Sequence, residues 1–222
     1  MLTTIEHHPD DAMLLDLAAG RLTAGTRRVL HSHLELCPQC REQLRALDAL
    51  GGLMLDEQEP AALGEDALAR TFARIDAGSP AERQAPVKKH SAPPPLPPGA
   101  RWPRALAGCR ATPWRFIAPG MHWSRVSLPE DSAANVFLLR IGAGKYLPSH
   151  THSGLELTQV LHGCFHDGRA LFGPGDFDAA DGEVHHQPVV QEGSACICLA
   201  SVEGRLQFDG FIARLFGAMV GM

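Results

Sequence analysis

The sequence contains neither a long apolar run nor an excess of basic residues, and both absences narrow the functions it can serve. No stretch approaches the ~18 apolar residues that a membrane-spanning helix needs, and the chain does not open with a basic region followed by an apolar one, as a secretory signal does. The 222 residues carry a formal charge of −5, which argues against a broad basic face for nucleic acid. We therefore expect a cytoplasmic protein that binds neither membranes nor nucleic acid directly.

Histidine and cysteine, by contrast, are plentiful and unevenly distributed. Of the 12 histidines, four lie in residues 7–33 and six in residues 150–186, and the chain has six cysteines. A cytosolic protein keeps its thiols reduced, so clustered cysteines favour metal binding over disulfides. The distribution predicts two separate metal sites.

A proline-rich stretch divides the chain. Residues 80–103 contain eight of the 17 prolines, which predicts an extended, solvated linker. Apolar residues recur at helical spacing before it and predict four helices, whereas short β segments and turns after it suggest a sandwich or small barrel. We therefore predict an α + β protein with a helical domain at 1–79 and a β domain at 104–222 that ends in a helix over Leu206–Met219.

The first candidate metal site is the pattern His33-x3-Cys37-x2-Cys40. His33 and Cys37 are four residues apart on one predicted helix and so share a face. Cys40 lies at the start of the next helix, where the helix dipole favours a thiolate. His7 or His8 can add a fourth ligand and complete a tetrahedral zinc site. Four protein ligands leave no open position, so this zinc is predicted to be structural; a redox-active cysteine pair is the alternative.

The second candidate site lies in the β domain. His150 and His152 are two residues apart, so both side chains project from one face of a strand, and Glu156 also has even spacing. Two imidazoles and a carboxylate suit a divalent transition metal. A fourth ligand is either His185 or His186, because neighbours on a strand face opposite ways, and the spacing does not decide between them.

The residues around this second site resemble a known family. The run Gly144-x5-His150-x-His152-x3-Glu156-x6-Gly163 matches the first cupin motif at every fixed position. The second motif departs from the general form, because no Asn follows His186. The resemblance implies a cupin, which is a double-stranded β-helix or jelly-roll barrel, holding Zn²⁺ or another divalent metal such as iron, manganese or nickel.

Taken together, the two patterns resemble the ChrR-type zinc-dependent anti-sigma factors, in which a zinc-binding helical domain precedes a cupin-like domain. The resemblance implies that Zn²⁺ is bound by His8, His33, Cys37 and Cys40, and that His186 is the fourth cupin ligand. It also implies that the helical domain inhibits an extracytoplasmic-function sigma factor in a 1:1 complex. The cupin domain would then release that factor under oxidative stress, from singlet oxygen or organic hydroperoxides, with the linker letting the two domains move separately.

Charge agrees with this implied partner. Residues 1–80 contain 13 acidic and seven basic residues and so hold the acidic excess of the chain, which suits a partner with a basic surface.

The competing interpretation is a cupin dioxygenase or related oxidoreductase with a regulatory zinc domain, because an octahedral metal with four protein ligands keeps open positions. We predict a regulator rather than an enzyme. Cys196 and Cys198 are predicted to be buried by packing, with a redox role as the second interpretation.

Overall fold

The described part of the helical domain contains four helices, as the sequence predicts. A computed structural model of the protein describes residues 4–77 and 93–209. The helices are α1 (Asp11–Ala18), α2 (Ala24–Leu36), α3 (Pro38–Asp56) and α4 (Ala67–Asp76). Within the described ranges, no helix is both long and apolar enough to span a membrane.

Local capping explains where the first three helices begin. The Asp10 carboxylate accepts a hydrogen bond from the N–H of Met13 at the start of α1, and the Thr23 hydroxyl accepts from Thr26 at the start of α2. Cys37 separates α2 from α3 in an extended conformation, because the residue before a proline avoids the helical region. The corner between α2 and α3 therefore falls at a cysteine.

The β domain follows a short 3₁₀ turn at Arg104–Leu106 and contains twelve strands in the described part of the chain. The main antiparallel sheet has the order β1-β3-β4-β11-β6-β9 with β2 on β3, and two smaller sheets have the orders β10-β7-β8 and β12-β5. The three sheets enclose a cavity, as expected of a cupin barrel. The strands are β1 (Arg110–Ala111), β2 (Arg115–Ala118), β3 (Met121–Ser127), β4 (Val136–Ile141), β5 (His150–His152), β6 (Glu156–His162), β7 (Phe165–His166), β8 (Leu171–Phe172), β9 (Phe177–Ala180), β10 (Val189–Val190), β11 (Cys196–Val202) and β12 (Leu206–Phe208).

The predicted helix over Leu206–Met219 is wrong at its beginning. Leu206–Phe208 forms strand β12 and pairs with β5 in antiparallel register. Phe208 is buried with its ring against that of His150, so the segment follows the two-residue alternation of a strand. The rest of the predicted helix lies outside the described residues.

The end of the predicted linker follows the surface of the β domain. Residues 93–103 contain no helix or strand, and the Trp114 indole N–H donates a hydrogen bond to the Pro95 carbonyl. Pro94 and Pro103 are buried, so this part is less solvated than a proline-rich linker usually is. Residues 78–92 lie outside the described part of the chain.

The two domains pack against each other through helix α2. Its apolar side chains Val29 and Leu30 belong to the same buried cluster as Leu157 of β6 and Leu199 of β11. Gly25 approaches β11 so closely that an added Cβ would collide with the Ser201 hydroxyl. Separate movement of the domains, as the family resemblance implies, would therefore require this shared core to open.

Polar contacts surround that shared core. The hydroxyls of Thr23 and Thr26 each donate to a Glu203 carboxylate oxygen, both at 2.7 Å. The Arg28 guanidinium donates to Glu130 at 2.8 Å. These contacts join the N-terminal half of α2 to loops of the β domain and fix the side of α2 that faces the barrel.

Candidate metal centres

The first cluster forms where the ends of two helices meet a preceding loop. His33 lies in the last turn of α2, Cys37 between α2 and α3, Cys40 in the first turn of α3, and His8 in the loop before α1. The His8 Nδ1 atom is 3.4 Å from each of the two sulfur atoms, and the His33 Nε2 atom is 3.4 Å from the Cys40 sulfur. Tetrahedral zinc, with bonds of about 2.0 Å to nitrogen and 2.3 Å to sulfur, requires nitrogen–sulfur separations of about 3.5 Å. The four ligand atoms therefore have the spacing of a zinc site.

Burial changes the pKa values of His33 and Cys40 in ways that bear on cation binding. Burial lowers the pKa of His33 to about 4, so its imidazole is neutral and able to ligate at pH 7. Burial and the neighbouring Cys37 sulfur raise the pKa of Cys40 to about 12, so this thiol ionises at neutral pH only when a cation is bound. The donor set therefore fits zinc.

The structure also separates the two histidines that precede α1. The Nε2 atom of His7 lies 3.1 Å from the Leu171 carbonyl oxygen, and its ring packs against that of Phe172. His7 thus contacts the β domain, whereas His8 contacts the cysteines. The geometry assembles His8, His33, Cys37 and Cys40 into one group.

The second cluster lies inside the barrel. His150 and His152 lie on β5, Glu156 begins β6, and His186 pairs with His150 as an isolated antiparallel bridge. The Nε2 atoms of His150 and His186 are 3.2 Å apart, and the His150 Nε2 atom is 3.8 Å from a Glu156 oxygen. His185 faces the opposite way, as expected of a strand neighbour: it is exposed and lies 2.8 Å from the Asp209 carboxylate. The structure therefore places His186, and not His185, in this cluster.

Each ring of this cluster is held by its other nitrogen. The Nδ1 atoms of His150, His152 and His186 lie 2.9, 3.4 and 3.4 Å from the oxygens of Pro148, Asp181 and Asp167. The cluster's ligand atoms all lie within 4.8 Å of one another, and the Nδ1 contacts resemble the outer shell of acceptors that orients histidines in metal sites.

Electrostatics and unpaired atoms also fit a metal here. Burial alone would raise the pKa of Glu156, but the His150 and His152 imidazoles lower it below its ordinary value. Burial lowers the pKa of His186 to about 4, which keeps it neutral. The buried Nε2 of His152 and Oε2 of Glu156 lie 2.5 Å from each other, and among the described residues neither has a hydrogen-bond partner outside the cluster. Three nitrogens and one carboxylate suit a divalent transition metal.

A small cavity of about 40 Å³ opens beside the second cluster. Its wall is mostly apolar and includes both Cys196 and Cys198, whose sulfur atoms are 3.6 Å apart. Cys196 is buried and Cys198 half-buried. The packing prediction for these cysteines agrees with their position, and the short distance between their sulfur atoms is also compatible with the redox interpretation. The apolar lining side chains include Leu139, Ile141, Leu147, Phe165 and Val190.

Sequence reasoning missed a charged network behind this cluster. The Arg169 guanidinium lies between the carboxylates of Asp167 and Asp178 and forms ion pairs with both. Burial raises the pKa of Asp178 to about 6. Asp167 in turn lies 3.4 Å from the His186 Nδ1 atom, so the network supports this ligand. These residues come from β7–β9 and the turns between them, and no local spacing in the sequence predicts that they lie close together.

The fold and the two clusters define a class of protein: a small helical domain with a Cys₂His₂ site, joined to a cupin-like barrel with a His₃Glu site. Comparisons with known proteins agree. The ChrR cupin-like domain family matches residues 103–204. The anti-sigma-E factor ChrR of Cereibacter sphaeroides is 40% identical over 212 residues, which is 96% of each chain. The chain therefore belongs to the ChrR family of anti-sigma factors.

A solved structure supports the same assignment over nearly the whole chain. The crystal structure of Rhodobacter sphaeroides SigE in complex with the anti-sigma ChrR matches with a TM-score of 0.70 and 37% identity. The match covers 90% of this chain and 100% of the matched chain. The predicted order of a helical domain and a cupin-like domain is confirmed.

Proposed function

We propose that this protein binds and inhibits an extracytoplasmic-function sigma factor through its helical domain, as a 1:1 complex in the cytoplasm. The observation that carries the proposal is a set of exposed apolar side chains on α3 and α4, which we call the helical apolar face. On α4 it consists of Leu68, Phe72 and Ile75, whose exposed fractions are 69%, 56% and 65%. On α3 it consists of Leu50, Leu53, Met54 and Leu55.

Helix α4 needs a partner for physical reasons. None of its residues is buried in the described structure, and an isolated helix of ten residues is marginal in water. Leu68, Phe72 and Ile75 follow i, i+4, i+7 spacing and so form one stripe. An apolar surface of this kind marks a protein interaction site, and the relative of known structure is an anti-sigma factor crystallised with SigE.

We infer separate roles for the two metal centres. Zinc at His8, His33, Cys37 and Cys40 would fix the corner between α2 and α3 and the loop before α1, because all four ligands come from these segments. At His150, His152, Glu156 and His186, Zn²⁺ or iron, manganese or nickel would supply a Lewis-acidic centre beside the cavity.

We further propose that the barrel acts as the sensor of oxidative stress, from singlet oxygen or organic hydroperoxides. The cavity beside the second cluster supports this role, since it gives a small apolar molecule access to the cluster and to Cys196 and Cys198. Chemical change at either place would alter the strands on which α2 packs, because Cys196 and Cys198 lie on β11 and Glu156 on β6. The sensed change would then reach the helical domain through the shared core.

The experiment is co-purification of the tagged full chain with extracytoplasmic-function sigma factors from its source cell. Phe72→Asp should weaken sigma binding at least tenfold, because it places a charge in the centre of the apolar stripe. Ala73→Asp adds the same charge on the other side of α4, where the residue is also exposed, and should bind as the wild type does. Equal binding by Phe72→Asp and wild type would refute the helical apolar face as the sigma-binding surface.

A cupin oxygenase is the alternative function, and the apolar cavity beside a three-histidine, one-glutamate cluster is the observation that favours it. Oxygen consumption by the iron- or manganese-loaded chain would support the enzyme. A zinc-loaded chain that consumes no oxygen but binds a sigma factor would support the regulator.

A further inference from the structure

The zinc cluster of the helical domain has one wall made by the cupin domain. This wall is the turn Gly173–Phe177, which leads into β9 and which we call the β9 turn. The Nδ1 atom of His33 lies 2.8 Å from the Gly175 carbonyl oxygen, and the His33 ring meets the Phe177 ring edge-on at 5.6 Å. His33 is fully buried between them.

Asp176 holds the other histidine of the cluster through the backbone. One Asp176 carboxylate oxygen accepts hydrogen bonds from the N–H groups of Glu6 and His7, at 2.7 and 3.0 Å. The other oxygen accepts from the Gly173 N–H at 2.7 Å and so braces the turn itself. The Phe177 N–H donates to the His7 carbonyl at 3.1 Å. The segment that carries His8 is therefore fastened to the β9 turn by three hydrogen bonds.

The β9 turn lies in close contact with the segment that precedes His8. Gly175 has a φ of +97°, and a Cβ at that position would lie 2.8 Å from the Ile5 side chain. A residue other than glycine would be strained by its conformation and would also push Ile5 away. The close approach allows the Gly175 carbonyl to reach His33.

We propose that the β9 turn is the outer shell of the zinc site, so that the zinc affinity of the helical domain depends on the docked cupin domain. The Gly175 carbonyl accepts the Nδ1 proton of His33 and leaves the Nε2 lone pair for the metal. Asp176 is a positioning residue for His8. The proposal rests on the zinc site proposed above and gives the cupin domain a direct contact with it.

Strand β9 connects this shell to the barrel interior. Side chains alternate along a strand, and Phe177 faces the zinc cluster while the next residue, Asp178, lines the cavity with Glu156 and His186. The four-residue strand β9 therefore lies between the two clusters, with Phe177 against His33 and Asp178 in the cavity wall. A change in the cavity that shifts β9 would move the Gly175 carbonyl relative to His33.

Cobalt titration of the full chain tests the proposal, because only a site with thiolate ligands gives a sulfur-to-cobalt charge-transfer band. The double variant Cys37→Ser/Cys40→Ser defines the background from the other cysteines. Asp176→Ala should weaken cobalt binding at this site by about tenfold or more, the usual cost of losing an outer-shell partner. Asp176→Asn keeps one acceptor oxygen and should show a smaller loss, which a failure to fold would not produce.

Two control variants distinguish a specific effect of the β9 turn on metal binding from general effects on the cupin domain and its docking. Asp131→Ala removes a carboxylate that braces another cupin turn through the N–H groups of Ala133 and Ala134, and it should leave cobalt binding unchanged. Glu203→Gln weakens the domain contact at Thr23 and Thr26 and should have a much smaller effect than Asp176→Ala.

The outcomes distinguish the two proposals. Wild-type cobalt affinity in a folded Asp176→Ala variant, or an equal loss in Glu203→Gln, would overturn the role of the β9 turn while the zinc site stands. A wild-type chain without the charge-transfer band would refute the zinc site, and the outer-shell role with it. A graded loss from Asp176→Asn to Asp176→Ala, with both controls unchanged or nearly so, supports the proposal.

Discussion

Replacing Gly25 with alanine tests how closely helix α2 lies on the barrel. The added Cβ would overlap the Ser201 hydroxyl and lie 3.1 Å from a Val136 methyl group. Ser201 is buried, so its hydroxyl has little room to turn away. Crowding of a packed interface costs about 1–3 kcal/mol, whereas glycine to alanine in a helix gains at most about 1 kcal/mol. We therefore expect the free energy of unfolding to fall by about 1–2 kcal/mol.

Thermal unfolding with a matched substitution provides the measurement. Gly51 lies inside α3, and a Cβ there would meet no atom within 4 Å, so Gly51→Ala should stabilise the protein by about 0.5–1 kcal/mol. The melting temperature should move by about 2–4 °C per kcal/mol, in opposite directions for the two variants. Adding Ser201→Ala to Gly25→Ala should recover part of the loss. Stabilisation by Gly25→Ala alone would refute the close docking of α2 on β11.

The metal centres yield two further predictions. Cys37→Ser/Cys40→Ser should remove one zinc per chain and abolish sigma binding, because the corner between α2 and α3 loses two of its four zinc ligands. Metal analysis measures the zinc content, and co-purification measures sigma binding. Full inhibition by this variant would disprove the structural role of the zinc. Glu156→Ala should leave inhibition intact but remove the second metal and the induction by oxidant, measured with a sigma-dependent reporter. A normal oxidant response in Glu156→Ala would move the sensor elsewhere, with Cys196 and Cys198 as the first residues to test.

Local geometry explains why the sequence predicts one neighbouring pair of side chains in each cluster. Four-residue spacing on a helix puts His33 and Cys37 on one face, and two-residue spacing on a strand does the same for His150 and His152. Both pairs therefore appear together in the structure without any knowledge of the tertiary fold.

Features that depend on distant segments could not be predicted in this way. The segment Leu206–Phe208 has apolar residues that suit either a helix or a strand, and its pairing with β5 decides for a strand. The position of Gly175 against His33 joins residues 142 apart in the sequence. Asp176 similarly belongs to a cupin turn by its local pattern, and only the docking of the two domains brings it to Glu6 and His7.

The position of the helical apolar face limits how the cupin domain can act. In the described part of the chain the face is exposed, with Leu68, Phe72 and Ile75 all more than half accessible, while the barrel packs on the helical domain through α2. If a sigma factor binds this face, the barrel in its docked position does not compete for it. The barrel contacts the helical domain at α2 and at the zinc cluster instead. Release driven from the barrel, if it occurs, would then act through α2 or the zinc cluster, because these are the places where the barrel contacts the helical domain.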